Sequence, residues 1–581
     1  MPRDGVVCHM RLKRGRVTVG IGTEGGIMFA EGHVSRRQFV GGAAIAGAAM
    51  TAGSFVRTAR AEQSEVQDPC ATYLSYENPD EIGVVHQAQA QVDADFVVVG
   101  SGIGGLTAAM LAAELAPDAK IVLVEKCGFT GGNGNYAEIC APAAPCTPEE
   151  AAASALAKVV ASNYMKDFYL LERLAFEGNL CTSWLLNKHG VELDGSHFYY
   201  QNWAGATTMA QLTEEIATSE AYANVEILLN TRATALLMAD GYTCQGVQVF
   251  ADGVYTDIVA KAVFLCTGGM ATNFDLLRFF TNQDVVEKSY GMGAGQDGDG
   301  HLMVQQTAHG MVKSVYATSM FNNVKGFGFS SPLGVAAVVQ PTCLYVNQYG
   351  ERFCDEAASN VYPFMLAGKA IETNGRCYSI VGQNLIDRFA SQGSDTEYWF
   401  YYQTPTDLQE DLERYADNPG VFKAETLEEL AVLIDVDPTA LCTTVERYEA
   451  DAEAGEGDTV KGKDAQWMVS LGSGPYYAFR MSSGIIQTNG GIRVDRRCRV
   501  CDPYFKPVNG LYAGGIAISG LNVEYYSTGT SQAAGLWSGT VVAREVVENV
   551  LGMSVPEDWY GERYTGPFMD RGATGKCKPL E

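Results

Sequence analysis

Histidine is scarce, and the seven in this 581-residue chain show no metal-ligand spacing, which argues against a metal centre built from them. Basic charge is short as well. Against 68 Asp and Glu stand 41 Lys and Arg, a formal net charge of −27, so the surface as a whole repels a polyanion such as DNA or RNA. Nucleic acid is not an expected partner. No apolar run has the length of a membrane span, since the Ala/Gly stretch from Gly41 to Val56 is too short and too poor in Leu and Ile. Cysteine is plentiful at 15 residues, yet there is one CxxC, Cys498 to Cys501, with no ferredoxin-like run and no second CxxC beside it. Free thiols, disulfides and an iron–sulfur cluster assembled from dispersed cysteines, with Cys140 and Cys146 lying close together, stay open. There is also no second strand-linked glycine fingerprint, so a nicotinamide dinucleotide has no site of its own.

What is present centres on Val97 to Lys126. A β-branched run, Val97 to Val99, enters the turn Gly100-Ser101-Gly102-Ile103-Gly104-Gly105, an alanine-rich helical pattern leaves it, and a second apolar run, Ile121 to Val124, ends on Glu125. The unit reads as βαβ. Gly100 permits the tight turn, Gly102 lets backbone approach a pyrophosphate, Gly105 lets the helix lie close on the strand, and Glu125 can accept hydrogen bonds from a ribose diol. The helix N-terminus then faces phosphate. A dinucleotide site is the prediction. The next loop, Gly128 to Tyr136, is so rich in Gly and Asn that its backbone must take unusual dihedrals or approach a ligand closely.

The N-terminal residues 1–61 predict export. Ser35-Arg36-Arg37 precedes the Ala/Gly run and Ala59-Arg60-Ala61 offers a small-residue cleavage site, the order of elements in a Tat-type signal peptide. Met1 and Met28 both stay candidate starts. The mature chain is expected outside the cytoplasm, in the periplasm or cell envelope, with residues 62–92 as a polar linker. Helical patterns fill about Pro148 to Asn187 and Met209 to Ser219, strands follow from Val225, and near residue 310 the pattern turns irregular and aromatic.

Glu125-Lys126 followed by Thr130-Gly131-Gly132-Asn133 resembles the FAD-binding flavoproteins of the fumarate reductase and succinate dehydrogenase type, which include ketosteroid dehydrogenases and urocanate reductases. The match spans Asp93 to Leu551. It implies an α/β fold, a Rossmann-like FAD-binding domain in two parts (93–310 and 483–555) with an inserted α+β substrate-capping domain (311–482) and a C-terminal tail (556–581). FAD is the implied cofactor. The implied contacts are Gly100, Gly102, Gly105, Glu125, Lys126, Gly131, Gly132 and Asn133, the backbone of Ala233, then Thr267, Gly268, Asp299, Gly515 and Ser531. Ser531 would begin a helix whose positive end faces the flavin.

Departures from the family narrow the substrate. Members that hold a dicarboxylate have a histidine before the returning Thr-x-Gly-Gly and an arginine beyond the Gly-x-Gly-Glu turn; here those positions read Gln487 and Tyr526, and the turn's acid reads Ile516. A buried carboxylate needs charged partners, so fumarate and succinate are poor candidates. Tyr526 looks like the tyrosine with which ketosteroid dehydrogenases hold a carbonyl oxygen. Arg352 is similar to the arginine that delivers a proton in fumarate reductases; a guanidinium is a poor acid, and Tyr362 is the easier donor, with Tyr136 a weaker third. The resemblance thus implies an exported reductase that adds hydride and a proton to the C=C bond of an α,β-unsaturated carbonyl or lactone, extending to a steroid such as a cardiac glycoside, as in the flavoprotein reductases of anaerobic gut actinobacteria. Its electron donor would be a membrane-associated cytochrome or a quinol-linked system. A ketosteroid dehydrogenase, an unsaturated-acid reductase of urocanate or fumarate type, and a flavin electron-relay protein with no organic substrate are the alternatives.

Overall fold

Four-residue runs that are apolar at every position suit strands covered on both faces, and that is how they are used. In the computed structural model, Phe96–Val99 (β1), Ile121–Val124 (β2) and Ala262–Leu265 (β4) are buried throughout, with Val225–Leu228 (β3) half-buried at one side and Pro507–Ala513 (β5) at the other. They lie parallel in the order β5-β4-β1-β2-β3. Helix α1, Ile103–Leu115, connects β1 to β2 and is buried along most of its length. The structure describes residues 81–137, 144–194, 199–200, 205–281, 289–290, 295–324, 327, 331–357, 370–371, 373–395, 407–458, 460–522, 530–566, 569–571 and 577–579, with strands at 7–12, 15–21 and 27–29. The twin-arginine segment and the Ala59 to Ala61 cleavage site lie outside them.

Register places the carboxyl ends of the parallel strands on one edge. Val99 is opposite both Leu265 and Val124, Leu265 is opposite Ala513, and Val124 is opposite Leu228. Residues 100–102, 125–127, 229–231, 266–269 and 514–517 therefore emerge together, where open α/β sheets bind ligands. An antiparallel meander, Arg232–Asp240, Thr243–Ala251 and Val254–Val259, extends the sheet beyond β5.

The expected linker is partly structured. Ala90–Asp93 forms a strand parallel to Val254–Val259, the Gly83 amide donates to the Thr234 carbonyl at 2.7 Å, and the His86 ring stacks on Tyr255 at 4.3 Å. Residues from Gly83 onward thus pack against the meander, ahead of the boundary expected at Asp93. The helical stretch expected over 148–187 is two helices, Pro148–Ala161 and Phe168–Ser183, because Asn163 and Tyr164 take positive φ between them. Asp167 caps the second helix by accepting from the Leu170 amide.

A second sheet is built on the long strand Tyr476–Ile492, which pairs with Val312–Val324, Tyr378–Gly382 and Val421–Ala424. It encloses its own hydrophobic core, from Val324 to Met481. The two units interleave more than one boundary near residue 310 suggests. Ser289–Tyr290 already pairs with the long strand, whereas the later helix Asp299–Thr307 sends Met303 and Val304 into the first core.

Candidate cofactor and active site

At the end of β1 the chain must turn sharply, and Gly100 does so at φ 98°, its amide donating to the Val124 carbonyl at 2.8 Å. Gly105 meets a different constraint: a Cβ there would collide with the Gly100 carbonyl oxygen. Gly102 has neither problem. Its backbone is ordinary (φ −63°, ψ 179°), and the nearest atom to a Cβ placed on it is the Gly131 carbonyl oxygen at 3.9 Å. It is glycine where space is left in front of the N-terminus of α1, which no side chain caps. Gly132, at φ 47°, likewise has nothing within 4 Å of a Cβ. The buried Thr267 hydroxyl has no hydrogen-bond partner. An open cradle under uncapped helix amides, with an unsatisfied hydroxyl beside the neighbouring strand, fits a pyrophosphate-bearing dinucleotide.

The Gly/Asn loop is fastened to the fingerprint. The Gly131 amide donates to the Ser101 carbonyl at 2.9 Å, and Gly131 adopts φ 99°. Residues Gly132–Tyr136, including Asn133, wind into a short 3-10 helix. Glu125 is buried and accepts from the Ser101 hydroxyl at 2.6 Å, the Ser101 amide at 3.0 Å and the Cys127 amide at 2.8 Å. A carboxylate has about four acceptor sites, so capacity for one ribose hydroxyl is left. Ser101 was invisible as a functional residue because nothing in a fingerprint marks its variable positions.

Lys126 and Asp299 meet in a buried ion network. The Lys126 ammonium donates to Asp297 at 2.8 Å and to Asp299 at 2.9 Å, and the Arg232 guanidinium grips Asp299 through two bonds of 2.7 and 3.0 Å. This ties the end of β2 to the Gly-Asp-Gly turn and to the strand carrying Ala233, next to which a bulge interrupts the ladder. Thr267 and Gly268 (φ 73°) follow β4, and Gly515 (φ 64°), after β5, is held by its amide on the Ser538 hydroxyl at 2.8 Å. Between these loops the buried His301 ring packs against Gly491, and burial depresses its pKa to about 4, so it is neutral.

The returning strand reaches this edge. The Thr488 hydroxyl accepts from the Met270 amide at 3.0 Å, beside Thr267 to Gly269. Next to it the buried Gln487 carbonyl oxygen accepts from the Ser531 hydroxyl at 2.8 Å, and its amide nitrogen donates to Asn489 at 3.0 Å. Ser531 lies in the first turn of helix α2, Thr530–Glu545. An uncharged, oriented amide therefore stands at the position read as Gln487.

Arg352 lies elsewhere, inside the second core. Its guanidinium makes two bonds to the fully buried Glu356, at 2.9 and 2.7 Å, and a third to Asp458, while the Lys463 ammonium sits 3.6 Å from Glu356. Burial alone would lower its pKa, but hydrogen bonds and charge from Glu356 and Asp458 outweigh that and hold it above the ordinary arginine value. These surroundings suit an anchor and oppose proton delivery, which corrects the sequence expectation. Tyr362 and Tyr526 lie outside the described residues, as does the side chain of Tyr136. The thiols of Cys498 and Cys501 are free and buried, and burial raises Cys501 to about 12. Among the described residues no group of three or more His, Cys, Asp or Glu is placed to hold a metal, so the iron–sulfur alternative has no ligand set there; Cys140 lies outside them.

Comparison with known proteins agrees with this geometry. A family model described as FAD binding domain matches residues 188–531, and a second, FAD dependent oxidoreductase, matches residues 95–270. The chain is 29% identical over 499 residues to the vinyl phenol reductase of Lactiplantibacillus plantarum, covering 78% of this chain and 96% of that protein. It is 24% identical over 581 residues to the digoxin reductase of Eggerthella lenta, covering 89% and 95%. A flavocytochrome c3 fumarate reductase in its open conformation superposes with a TM-score of 0.59 at 21% identity, over 80% of this chain and 79% of that one.

Proposed function

Because the chain belongs to the FAD binding domain family and is an FAD-dependent oxidoreductase, we propose that it reduces the carbon–carbon double bond of an uncharged unsaturated compound, an α,β-unsaturated carbonyl or lactone. The observation that carries this reading is the neutral Gln487–Ser531 pair where the returning strand meets the cofactor edge. A substrate carboxylate would lose its hydration there, and neither Gln487 nor Ser531 offers it a cation. Relatives named for vinyl phenol and digoxin reduction support alkene chemistry on substrates other than small dicarboxylates.

When bound, FAD would supply the hydride for one alkene carbon. The chain's own residues do the rest. Gly102 and the α1 N-terminus would hold the pyrophosphate, Glu125 the ribose, and the loop at Gly131 to Asn133 would line the cofactor. Ser531 and Gln487 fix the helix start and the returning strand against each other. Tyr526 donates a hydrogen bond to the carbonyl oxygen as enolate charge develops, and Tyr362 delivers the proton to the second carbon. With Arg352 anchored in the second core, the acid role passes to Tyr362, with Tyr136 behind it. The enzyme works outside the cytoplasm after twin-arginine export and draws electrons from a membrane-associated cytochrome or a quinol-linked donor.

The test is Tyr526→Phe. It should leave FAD bound and lower turnover of an enone by about 100-fold, the usual cost of one oxyanion donor. Wild-type turnover by this variant would remove Tyr526 from the site.

A further inference from the structure

We infer that His189, as an imidazolium, is a positioning residue for the cofactor: it clamps helix Gly205–Thr218, and through that helix the glycine loop at 128–136, onto the dinucleotide helix α1. Its Nε2 lies 3.1 Å from Glu114 Oε1, in the last turn of α1, and its Nδ1 lies 3.1 Å from both carboxylate oxygens of Glu215, in the helix Gly205–Thr218. A neutral imidazole has one N–H and one lone pair, so one of the two carboxylates would then face a lone pair. The doubly protonated ring sets its charge 3.1 Å from both carboxylates, as hydrogen bonds at Glu215 and as an ion pair at Glu114, where Nε2 lies off hydrogen-bond alignment.

The other groups facing this pair bear chiefly on Glu114, where the Lys188 ammonium is a second cation that opposes the imidazolium charge. The Lys188 ammonium donates to Glu114 Oε2 at 2.5 Å, the Tyr222 hydroxyl donates to Glu114 at 2.9 Å and lies 3.4 Å from Glu215, and the Trp184 indole N–H donates to Glu114 at 3.3 Å with its ring 4.2 Å from the imidazole. Gln211 fixes the histidine backbone by donating to its carbonyl at 2.7 Å. The clamped helix then grips the loop at three points. The Thr213 and Thr130 hydroxyls are 2.7 Å apart, the Met209 sulfur lies 3.0 Å from where a Gly134 Cβ would be, and the Gly205 amide donates to the Ala137 carbonyl at 2.9 Å.

Burial would lower the histidine pKa, but hydrogen bonds and charge from Glu114 and Glu215 outweigh it, and the folded-state value is raised. The clamp is therefore complete below the unfolded histidine value of about 6.5 and is lost as pH rises through the higher folded value. Cofactor affinity should follow it. The inference rests on loop 128–136 binding FAD and not on which alkene is reduced, so the test reads cofactor retention rather than turnover.

The FAD dissociation constant of the full chain would be measured by flavin fluorescence from about pH 6 to about pH 9, with thermal melting followed in parallel. The wild type should weaken by about tenfold across that range. His189→Gln should bind weakly at every pH, without that slope. Glu215→Gln should bind tightly and also lose the slope, because an amide pairs with either face of a neutral ring. A flat wild-type profile, or a His189→Gln protein that keeps both affinity and slope, would overturn the inference. Where His189→Gln does not fold, the wild-type and Glu215→Gln profiles decide.

Discussion

A single methyl group separates the two kinds of glycine in the fingerprint. At Gly105 an added Cβ strikes the Gly100 carbonyl, a clash of the chain with itself, whereas at Gly102 it would project into open space 3.9 Å from the nearest atom. Gly105→Ala should lower stability by about 1–3 kcal/mol, the range for overpacking, and reduce the melting temperature with or without cofactor. Gly102→Val should melt like the apoprotein yet purify colourless. Full FAD occupancy in Gly102→Val, read from the flavin absorbance, would remove the pyrophosphate from this turn. Arg352 is the second residue whose role can be weighed. Removing it leaves Glu356, fully buried, with one cation partner fewer, so Arg352→Gln should cost about 3–5 kcal/mol in chemical denaturation. Normal stability with abolished turnover would restore the arginine as the acid. Its pairing was not legible in Gly-Glu-Arg-Phe, because Asp458 and Lys463 approach from about 100 residues away. The turn from Gly100 to Gly105 was legible, since its spacing is set by the backbone geometry of one turn, and so was the strand Ile121–Val124 that ends at Glu125.

At the scale of elements, the crossing of α1 and α2 decides where the start of α2 points. Gly104, Gly535 and Gly539 form the contact: a Cβ on Gly535 would lie 2.6 Å from Ile103 Cγ2, and one on Gly539 would lie 2.5 Å from the Gly104 carbonyl oxygen. Close approach of the two backbones carries Ser531 to Gln487. Gly539→Leu should push the helices apart, break that hydrogen bond and weaken FAD binding by about tenfold or more, as a few tenths of an ångström in a packed crossing cannot absorb an isobutyl group. Titration of the apoprotein with FAD checks this; unchanged affinity would mean that the crossing does not position the site. The helix itself was foreseen from its periodicity, beginning near Ser527 to Ser531. Its glycine face was not, because the partner helix is more than 400 residues earlier in the chain. Long-range pairing also explains the strand at Ala90–Asp93, whose polar sequence reads as linker and which is ordered by Val254–Val259.

For the whole molecule, one long strand runs through three buried clusters among the described residues: Met481 of Tyr476–Ile492 packs in the second core, Ile485 in a small cluster with Met270 and Leu277, and Ile492 in the first core. The strand thus joins the carboxyl edge of the first sheet to the second sheet. One glycine fingerprint serves one dinucleotide, so NADH should bleach the flavin slowly compared with a low-potential dye, and rapid bleaching in stopped flow would show a nicotinamide site. The central claim is alkene reduction by bound FAD at an uncharged site. The most direct measurement mixes anaerobic, dye-reduced protein with a matched pair of substrates, an enone or unsaturated lactone and an enoic acid, and follows flavin reoxidation together with the saturated product. Reoxidation with one product per flavin is expected for the neutral alkene and little for the acid. A flavin that stays reduced with every alkene, yet is reoxidised at once by a cytochrome, would contradict it.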